Sequence, residues 1–166
     1  HPLARAVRID KIRLAGLSAT LLHYIKGEAT RKIPVWQMIS MPLAEIDRRA
    51  REWACPELVE RARATGGEAK VVDGESMIGG GSLPGSTLPT KLVAIGLPAA
   101  SPELRQAGGR RKGANIAQTL ARRLRENESI PIIGRISDDV LLLDPRSVLP
   151  EEDGIVIQAL RKLMQT

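Results

Sequence analysis

Residues 131–144 read PIIGRISDDVLLLD, two short apolar runs on either side of a Ser-Asp-Asp sequence. The runs Pro131–Ile136 and Val140–Asp144 predict two strands, and the polar residues between them predict a hairpin turn. Strands joined by so short a turn run antiparallel, because a parallel pair needs a long crossover connection. The sheet is therefore expected to be antiparallel in this part of the chain.

Two earlier segments, Glu68–Val72 and Lys91–Leu97, also have strand character. A glycine-rich stretch at residues 79–85 separates them; its backbone N–H groups could surround an anion, or its glycines could allow the close approach of a neighbouring strand. The stretch lacks the Gly-Lys-Ser/Thr of a P-loop. Four short strands interleaved with helices predict an α+β fold, with an antiparallel sheet covered by helices on one face.

Five segments have helical character. The first begins at Asp10, whose side chain can cap the first turn, and its apolar residues recur at spacings of three and four. It is expected to end at Gly27 and to form a long connecting helix. The other helices are expected from Pro42, over Glu57–Ala64, over about Asn115–Glu126, and after Pro150. Residues 33–39 are bounded by prolines and predict an extended connector, and residues 98–113 predict a loop.

The helix that begins at Pro42 is amphipathic. Its inward side is expected to carry Leu43, Ile46, Ala50 and Trp53. Its outward side is expected to carry the charged residues Glu45, Asp47, Arg48, Arg49 and Arg51.

The composition excludes several classes of protein. The chain has 166 residues, 43% of them hydrophobic, which suits one domain or one domain with an appendage. No apolar run approaches the ~20 residues of a membrane span. The single cysteine, Cys55, cannot close an intrachain disulfide, which favours a reducing, cytoplasmic setting. The chain opens on His1-Pro2 without the apolar region of a secretory leader, and is expected to be a segment of a longer protein.

The positive charge is concentrated in residues 105–125, which contain seven of the 25 basic residues and no acid. The remaining 18 basic residues are balanced by 19 acids, so this segment accounts for the whole net charge of +6. Its cations are Arg105, Arg110, Arg111, Lys112, Arg122, Arg123 and Arg125. Guanidinium groups bind phosphate oxygens in pairs, so the segment is either a phosphate-binding surface or a solvated basic face.

Nucleophilic catalysis and metal binding find little support. The two histidines are His1 and His23, and Cys55 has no histidine near it in the sequence. His23 falls within the first predicted helix and is expected to be structural, as is Cys55. No catalytic residue and no metal ligand is therefore predicted in this chain.

Arg5 and Arg8 form a smaller candidate site. They are three residues apart, so they share one side if this stretch is helical. Two guanidinium groups in this arrangement could hold a tetrahedral oxyanion. The alternative from the residues alone is an exposed basic turn.

Several pieces of the sequence, in order, resemble the bacterial selenocysteine synthase family, the L-seryl-tRNA(Sec) selenium transferases. The pieces are His1–Lys11, Leu17–Leu21, Ile33-Pro34 with Met38, Gly79–Pro84, Pro131–Ile136 and Leu141–Arg146. The resemblance extends, with gaps, over essentially the whole chain and is to the C-terminal portion of the family. Residues 99–113 follow no pattern of the family.

The resemblance implies a pyridoxal-phosphate enzyme with the aspartate-aminotransferase-like fold (fold type I). Residues 1–30 would be the end of the large domain and the connecting helix, and residues 31–166 the small C-terminal domain. The Schiff-base lysine of the family precedes the His-Pro-Leu stretch, so Lys11 is not that lysine. The cofactor would be bound by the upstream domain, and this segment alone is expected to be inactive.

The resemblance also implies substrates and partners. The family converts seryl-tRNA(Sec) to selenocysteinyl-tRNA(Sec) with selenophosphate, and it forms homo-oligomers. Arg5 and Arg8 match arginines that the family uses to bind the anionic selenium donor. The candidate tRNA contacts, suggested by charge rather than by the match, are Arg110, Arg111, Lys112, Arg122 and Arg123.

Two other functions remain open at this point. One is a selenocysteine-synthase-like paralogue that uses the same cofactor on a small amino acid and needs no tRNA. The other is a non-catalytic module for RNA binding or oligomerisation.

Overall fold

The structure is a computed structural model that describes residues 2–64, 66–79, 85–96, 110–126 and 130–163. The chain divides into two compact units, His1–Ser40 and Met41–Thr166. Each unit is described by itself below.

The first unit is helical. Its helices are α1 (Pro2–Ala6), α2 (Lys11–Ile25), α3 (Ala29–Lys32) and α4 (Pro34–Ser40). The predicted long helix is confirmed: the Asp10 carboxylate accepts hydrogen bonds from the backbone N–H groups of Ile12 and Arg13, at 3.0 and 2.9 Å. At its other end Gly27 adopts φ +67°, and the N–H of Glu28 bonds back to the carbonyl of His23 at 2.8 Å. This pattern closes helices whose last residue is followed by a left-handed glycine.

The extended connector predicted for residues 33–39 is wrong. Ile33 is extended, as the residue before a proline usually is, but Pro34 begins α4. Proline suits the first position of a helix because its missing N–H would have no intrahelical partner there. The proline that was expected to bound an extended connector therefore starts a helix. The Trp36 indole N–H donates to the hydroxyl of Tyr24 and links α4 to α2.

The second unit contains a four-stranded antiparallel sheet in the order β1-β2-β4-β3. The strands are β1 (Glu68–Met77), β2 (Thr87–Gly96), β3 (Arg135–Ser137) and β4 (Val140–Leu143). In β1 and β2, Glu68 lies opposite Gly96 and Met77 opposite Thr87. β4 continues the sheet with Val93 opposite Leu143. The predicted α+β architecture and antiparallel sheet are confirmed.

The hairpin at residues 131–144 is confirmed, with a shorter first strand than predicted. Ser137 pairs with Val140, and Asp138 and Asp139 form the turn with φ 51° and 63°. Positive φ at both central residues is the type I′ geometry that matches the twist of a hairpin. Residues 131–134 lie before the strand.

Four helices accompany the sheet in the second unit. They are α5 (Leu43–Trp53), α6 (Pro56–Ala64), α7 (Arg110–Arg125) and α8 (Asp153–Leu163). α7 begins five residues before the predicted Asn115, so the loop predicted for residues 110–113 is wrong; residues 97–109 lie outside the described part. Short 3-10 turns at Pro145–Ser147 and Pro150–Glu152 lead into α8.

The core lies between one face of the sheet and these helices. Val93 and Ile95 alternate along β2, pair with Leu143 and Leu141 of β4, and so point to the same face. The helices contribute buried side chains to the same cluster, among them Trp53, Leu58, Leu124 and Leu160. The core is aliphatic apart from Trp53, as the small number of aromatic residues requires.

Candidate functional site

Arg5 and Arg8 lie at the start of the first unit. Arg5 is in α1, and Arg8 follows two residues after the helix ends at Ala6. The continuous helix that would place both on one side is therefore not formed. Both side chains are exposed, and neither makes an ion pair with any residue in the described ranges.

The basic helix α7 is attached to the core along one side. Ala117, Ala121 and Leu124 are all buried, at spacings of four and three residues. They form the stripe that an amphipathic helix turns toward a core. α7 packs with this stripe against β4, β2 and α8. The small alanines allow close approach, so the position of α7 is fixed by packing.

The side of α7 away from the core is cationic. Arg122, Arg123 and Arg125 are exposed, and none of them forms an ion pair with a described residue. Arg122 and Arg125 are three residues apart and therefore neighbours on the helix surface. Arg110, Arg111 and Lys112 occupy the first turn of α7, and their side chains lie outside the described part, as does Arg105.

The exposed arginines of α5, unlike the described ones of α7, form ion pairs with carboxylates. Arg48 donates to Glu45 at 2.6 Å and also contacts Glu52, and Arg51 donates to Asp47 at 2.8 Å. The hydrogen bonds from Arg48 lower the pKa of Glu45 below its ordinary value of 4.5. These cations are neutralised by carboxylates of the same helix, at spacings of three and four residues.

Arg49 was predicted to face outward, and this prediction is wrong. Its side chain is 0% exposed, and its guanidinium group holds Asp153 with two hydrogen bonds of 2.8 and 2.7 Å. The indole N–H of Trp53 donates to the same carboxylate at 2.9 Å. The guanidinium also donates to the backbone carbonyls of Pro145 and Val148. A buried charge needs this number of partners to offset its desolvation.

The spacing of α5 contained the signal for Arg49. It follows Ile46 by three residues and precedes Trp53 by four, so it lies between two inward-facing positions.

A second polar cluster fixes the end of β4. The Asp144 carboxylate accepts hydrogen bonds from the hydroxyls of Ser76 and Thr90, at 2.5 and 2.9 Å, and from the backbone N–H of Arg146 at 3.0 Å. Arg146 is buried, and its guanidinium donates to the carbonyls of Pro89 and Met41. Burial lowers the pKa of Arg146. Asp144 and Arg146, part of the Leu141–Arg146 resemblance motif, therefore contribute to the structure of the second unit.

His23 and Cys55 have structural surroundings. His23 Nδ1 lies 3.3 Å from Glu28 Oε2 at the end of α2, and Cys55 is buried in the core of the second unit. Within the described ranges, no group of three or more His, Cys, Asp or Glu residues is placed to hold a metal ion. Gly79 adopts φ +70° in the turn after β1, and Gly80–Pro84 lie outside the described residues.

The described residues do not fit pyridoxal phosphate. An open cleft of about 360 Å³ between α5 and the sheet contains Lys91, but its ammonium group lies 2.6 Å from Asp73 and is held as an ion pair. Lys11 is exposed at the start of α2. Among the described side chains there is thus no enclosed, unpaired lysine for a Schiff base. A second cleft of about 310 Å³, next to Trp53 and Ile155, is mainly apolar.

None of the helices in the described ranges combines the length and the apolar character needed to cross a membrane. This finding concerns the helices alone.

Comparisons with known proteins give a consistent result. The chain matches the family described as L-seryl-tRNA selenium transferase over residues 1–149. It is 34% identical over 164 residues to the L-seryl-tRNA(Sec) selenium transferase of Geobacter sulfurreducens. The aligned region covers 98% of this chain and 32% of that protein. The protein of the same name from Carboxydothermus hydrogenoformans is 35% identical, over 92% of this chain and 28% of its own length. The one from Nitratidesulfovibrio vulgaris is 36% identical, over 99% of this chain and 31% of its own length. The chain thus spans about a third of the length of these curated relatives.

Proposed function

The chain belongs to the L-seryl-tRNA selenium transferase family, and on that premise we propose that it forms the C-terminal part of an enzyme that converts seryl-tRNA(Sec) to selenocysteinyl-tRNA(Sec). Selenophosphate is the proposed selenium donor. The observation that carries this proposal is the family match, because it extends through both compact units rather than over one short motif.

Pyridoxal phosphate is the proposed cofactor of the intact enzyme. We assign it to the part of the longer protein that this chain does not contain, because the described residues provide no lysine suited to hold it. The chain alone is therefore expected to be inactive. In this proposal residues 31–166, which include the second unit, are the small domain of a fold-type I enzyme, and the antiparallel sheet with helices against one face is compatible with that assignment.

Arg5 and Arg8 are the proposed contacts to the anionic donor. Both guanidinium groups are exposed and have no ion-pair partner among the described residues, so they are available to an anion. A guanidinium group can give two parallel hydrogen bonds to the oxygens of a phosphate or selenophosphate. Guanidinium groups at these positions would orient the donor and offset the repulsion from nearby RNA phosphates.

The proposal also includes homo-oligomeric assembly and a cytoplasmic location. The apolar side chains of α2 support the first, because Leu14, Leu17, Leu21 and Leu22 are each about half exposed. Apolar surface of this extent is usually covered by protein. The single cysteine, with no partner for an intrachain disulfide, supports the second.

A chimera tests the proposed function. Residues 1–166 replace the matching third of the Geobacter sulfurreducens relative, and selenium transfer to seryl-tRNA(Sec) is measured with selenophosphate. The unaltered relative and the relative without this third are the two controls. We expect transfer by the chimera and none by the truncated relative.

The chimera can also contradict the proposal. If it is folded and binds pyridoxal phosphate but transfers no selenium to seryl-tRNA(Sec), the assigned activity is wrong. Turnover of a small free amino acid by the same chimera would then identify the paralogue function.

A further inference from the structure

We infer that the outward side of α7 is a binding surface for the phosphate backbone of transfer RNA; the choice of transfer RNA among nucleic acids rests on the proposed function. We call this side, formed by Arg122, Arg123 and Arg125, the basic face. It belongs to the second compact unit, whereas Arg5 and Arg8 belong to the first.

The first step is that the basic face is held in place. Ala117, Ala121 and Leu124 are buried against the sheet and α8, so the backbone of α7 cannot rotate to hide its arginines. A surface on a packed helix loses less conformational entropy on binding than one on a free loop.

The second step is that its charges are not neutralised within the described structure. The exposed arginines of α5 and α8 all have carboxylate partners; they are Arg48, Arg51 and Arg161. Arg122, Arg123 and Arg125 have none among the described residues, and the acids that follow them closely in the sequence are Glu126 and Glu128. Unpaired cations in one place create a local potential that attracts a polyanion, whereas paired ones do not.

The third step concerns the distribution of basic residues along α7. α7 has 16 residues and is therefore about 24 Å long. Its first turn begins with Arg110, Arg111 and Lys112, and its last turn contains Arg122, Arg123 and Arg125. Basic residues therefore occur in both the first and the last turn of α7. The side chains of residues 110–112 lie outside the described part, so the basic face is defined by the arginines of the last turn.

The fourth step concerns the kind of contact. α7 contains no aromatic residue, so it offers no stacking platform for bases. The exposed residues of its described part are polar or charged: Gln118, Arg122, Arg123 and Arg125. A helix that lies in a membrane surface has large apolar residues beside its cations, and this side of α7 has none in the described part. The chemistry therefore fits the backbone of a nucleic acid and does not read its sequence.

The test measures how transfer RNA binding depends on salt. A deacylated transfer RNA transcript is titrated with residues 1–166 and with the variant Arg122→Gln/Arg123→Gln/Arg125→Gln, by fluorescence anisotropy between about 50 and 200 mM salt. We expect the variant to bind about tenfold more weakly or worse at low salt. The slope of log K against log salt should become shallower by about 2 to 3, close to one per lost phosphate contact.

Two control variants separate the basic face from net charge. Arg63→Gln/Arg161→Gln/Lys162→Gln removes the same charge from exposed positions of α6 and α8 and should keep most of the salt slope. Arg122→Lys/Arg123→Lys/Arg125→Lys keeps the charge on α7 and should keep binding. Equal losses in both glutamine variants, or no binding by the parent chain, would overturn the inference.

The outcomes also separate this inference from the proposed function. If the chimera transfers selenium while the α7 glutamine variant binds transfer RNA as tightly as its parent, the basic face is wrongly assigned and the activity stands. If residues 1–166 bind transfer RNA as expected while the parent chimera transfers no selenium, the basic face stands and the activity is wrong.

Discussion

Arg48, Arg49 and Arg122 carry the same guanidinium group in three environments. Arg48 is exposed and shared between two carboxylates of its own helix, and Arg49 is enclosed with Asp153. Arg122 is exposed without an ion-pair partner among the described residues. The first environment neutralises the charge, the second uses it to join elements distant in sequence, and the third leaves it available to a ligand.

Arg49 is expected to be the most sensitive charged position of the second unit. Arg49→Met keeps most of the side-chain volume but leaves the Asp153 carboxylate and two backbone carbonyls without their donor. We expect the free energy of unfolding to fall by about 3 to 5 kcal/mol, the usual cost of breaking a buried ion pair from one side. Urea denaturation followed by tryptophan fluorescence measures this change.

The neighbouring residue provides the control for Arg49. Arg48→Met removes the same group from a solvent-exposed ion pair and should lower the urea midpoint at neutral pH far less than Arg49→Met does. If the two variants have equal midpoints, the buried network contributes nothing to stability and this interpretation of Arg49 is wrong.

Glu45 is expected to make the free energy of unfolding depend on pH in the acidic range. Its pKa is lowered from 4.5 in the folded protein, chiefly by hydrogen bonding to Arg48. A carboxyl whose folded pKa is depressed contributes stability above its unfolded pKa and loses it as the pH falls through the folded pKa. Below about pH 4.5, Arg48→Gln should therefore lose less stability than the parent protein for each step in pH, as measured by urea midpoints. Parallel curves for the two proteins would show that Arg48 does not set this pKa.

At the scale of elements, the packing pattern identified most of the fold in advance. The amphipathic spacing of Ile46, Ala50 and Trp53 correctly predicts α5, and the Ser-Asp-Asp turn correctly predicts the hairpin of β3 and β4. Both signals are local: a buried stripe follows the helical period, and a two-residue turn fixes the strand register. Element bounds were less predictable, because the length of β1 depends on its partner β2 rather than on its own sequence.

The errors have a common physical cause. Residue type predicts Pro34 as part of an extended connector and Arg49 as a surface charge. Their roles are set by context: proline at a first helical position, and arginine opposite an aspartate 104 residues away in the sequence. Sequence spacing cannot reveal that Asp153 would lie there. The same limit applies to the candidate sites, since the sequence locates the cations of α7 but not which of them lack carboxylate partners.

Gly134, the residue before β3, is expected to be crowded by any side chain. A Cβ atom there would lie 2.6 Å from Leu141 Cδ1 and 3.0 Å from the carbonyl oxygen of Leu142. Gly134→Ala should therefore lower the free energy of unfolding by about 1 to 3 kcal/mol, the cost of overpacking.

Gly154→Ala is the matched control, because a Cβ added at this position of α8 meets nothing within 4 Å. Alanine favours a helix, so the control should be neutral or stabilising by up to about 1 kcal/mol. Chemical denaturation of both variants distinguishes crowding from a general effect of glycine replacement, and a neutral Gly134→Ala would contradict the close packing.

On the scale of the whole molecule, the two units differ in how much of their apolar surface is covered. The second unit has a buried cluster from its sheet and four helices. In the first unit, none of the described residues of α2, α3 and α4 is buried. The first unit therefore leaves its apolar side chains available to further protein, and it contains the exposed Arg5 and Arg8.

Arg5 and Arg8 are expected to affect the selenium donor rather than the cofactor. In the chimera with the Geobacter sulfurreducens relative, Arg5→Ala or Arg8→Ala removes charge-assisted hydrogen bonds to selenophosphate. Such bonds contribute about 1.5 to 3 kcal/mol each, so the KM for selenophosphate should rise by about 10- to 100-fold. Affinity for pyridoxal phosphate, followed by its absorbance, should change little.

Arg13→Ala is the control, because Arg13 is also exposed in the first unit but pairs with Asp10 at 3.2 Å. The donor-binding role would be wrong if a folded variant lost cofactor affinity and donor use to the same extent, or if Arg13→Ala raised KM equally. Rescue of KM by Arg5→Lys would indicate that charge alone holds the donor, whereas failure of that rescue would indicate that the two-pronged guanidinium geometry is required.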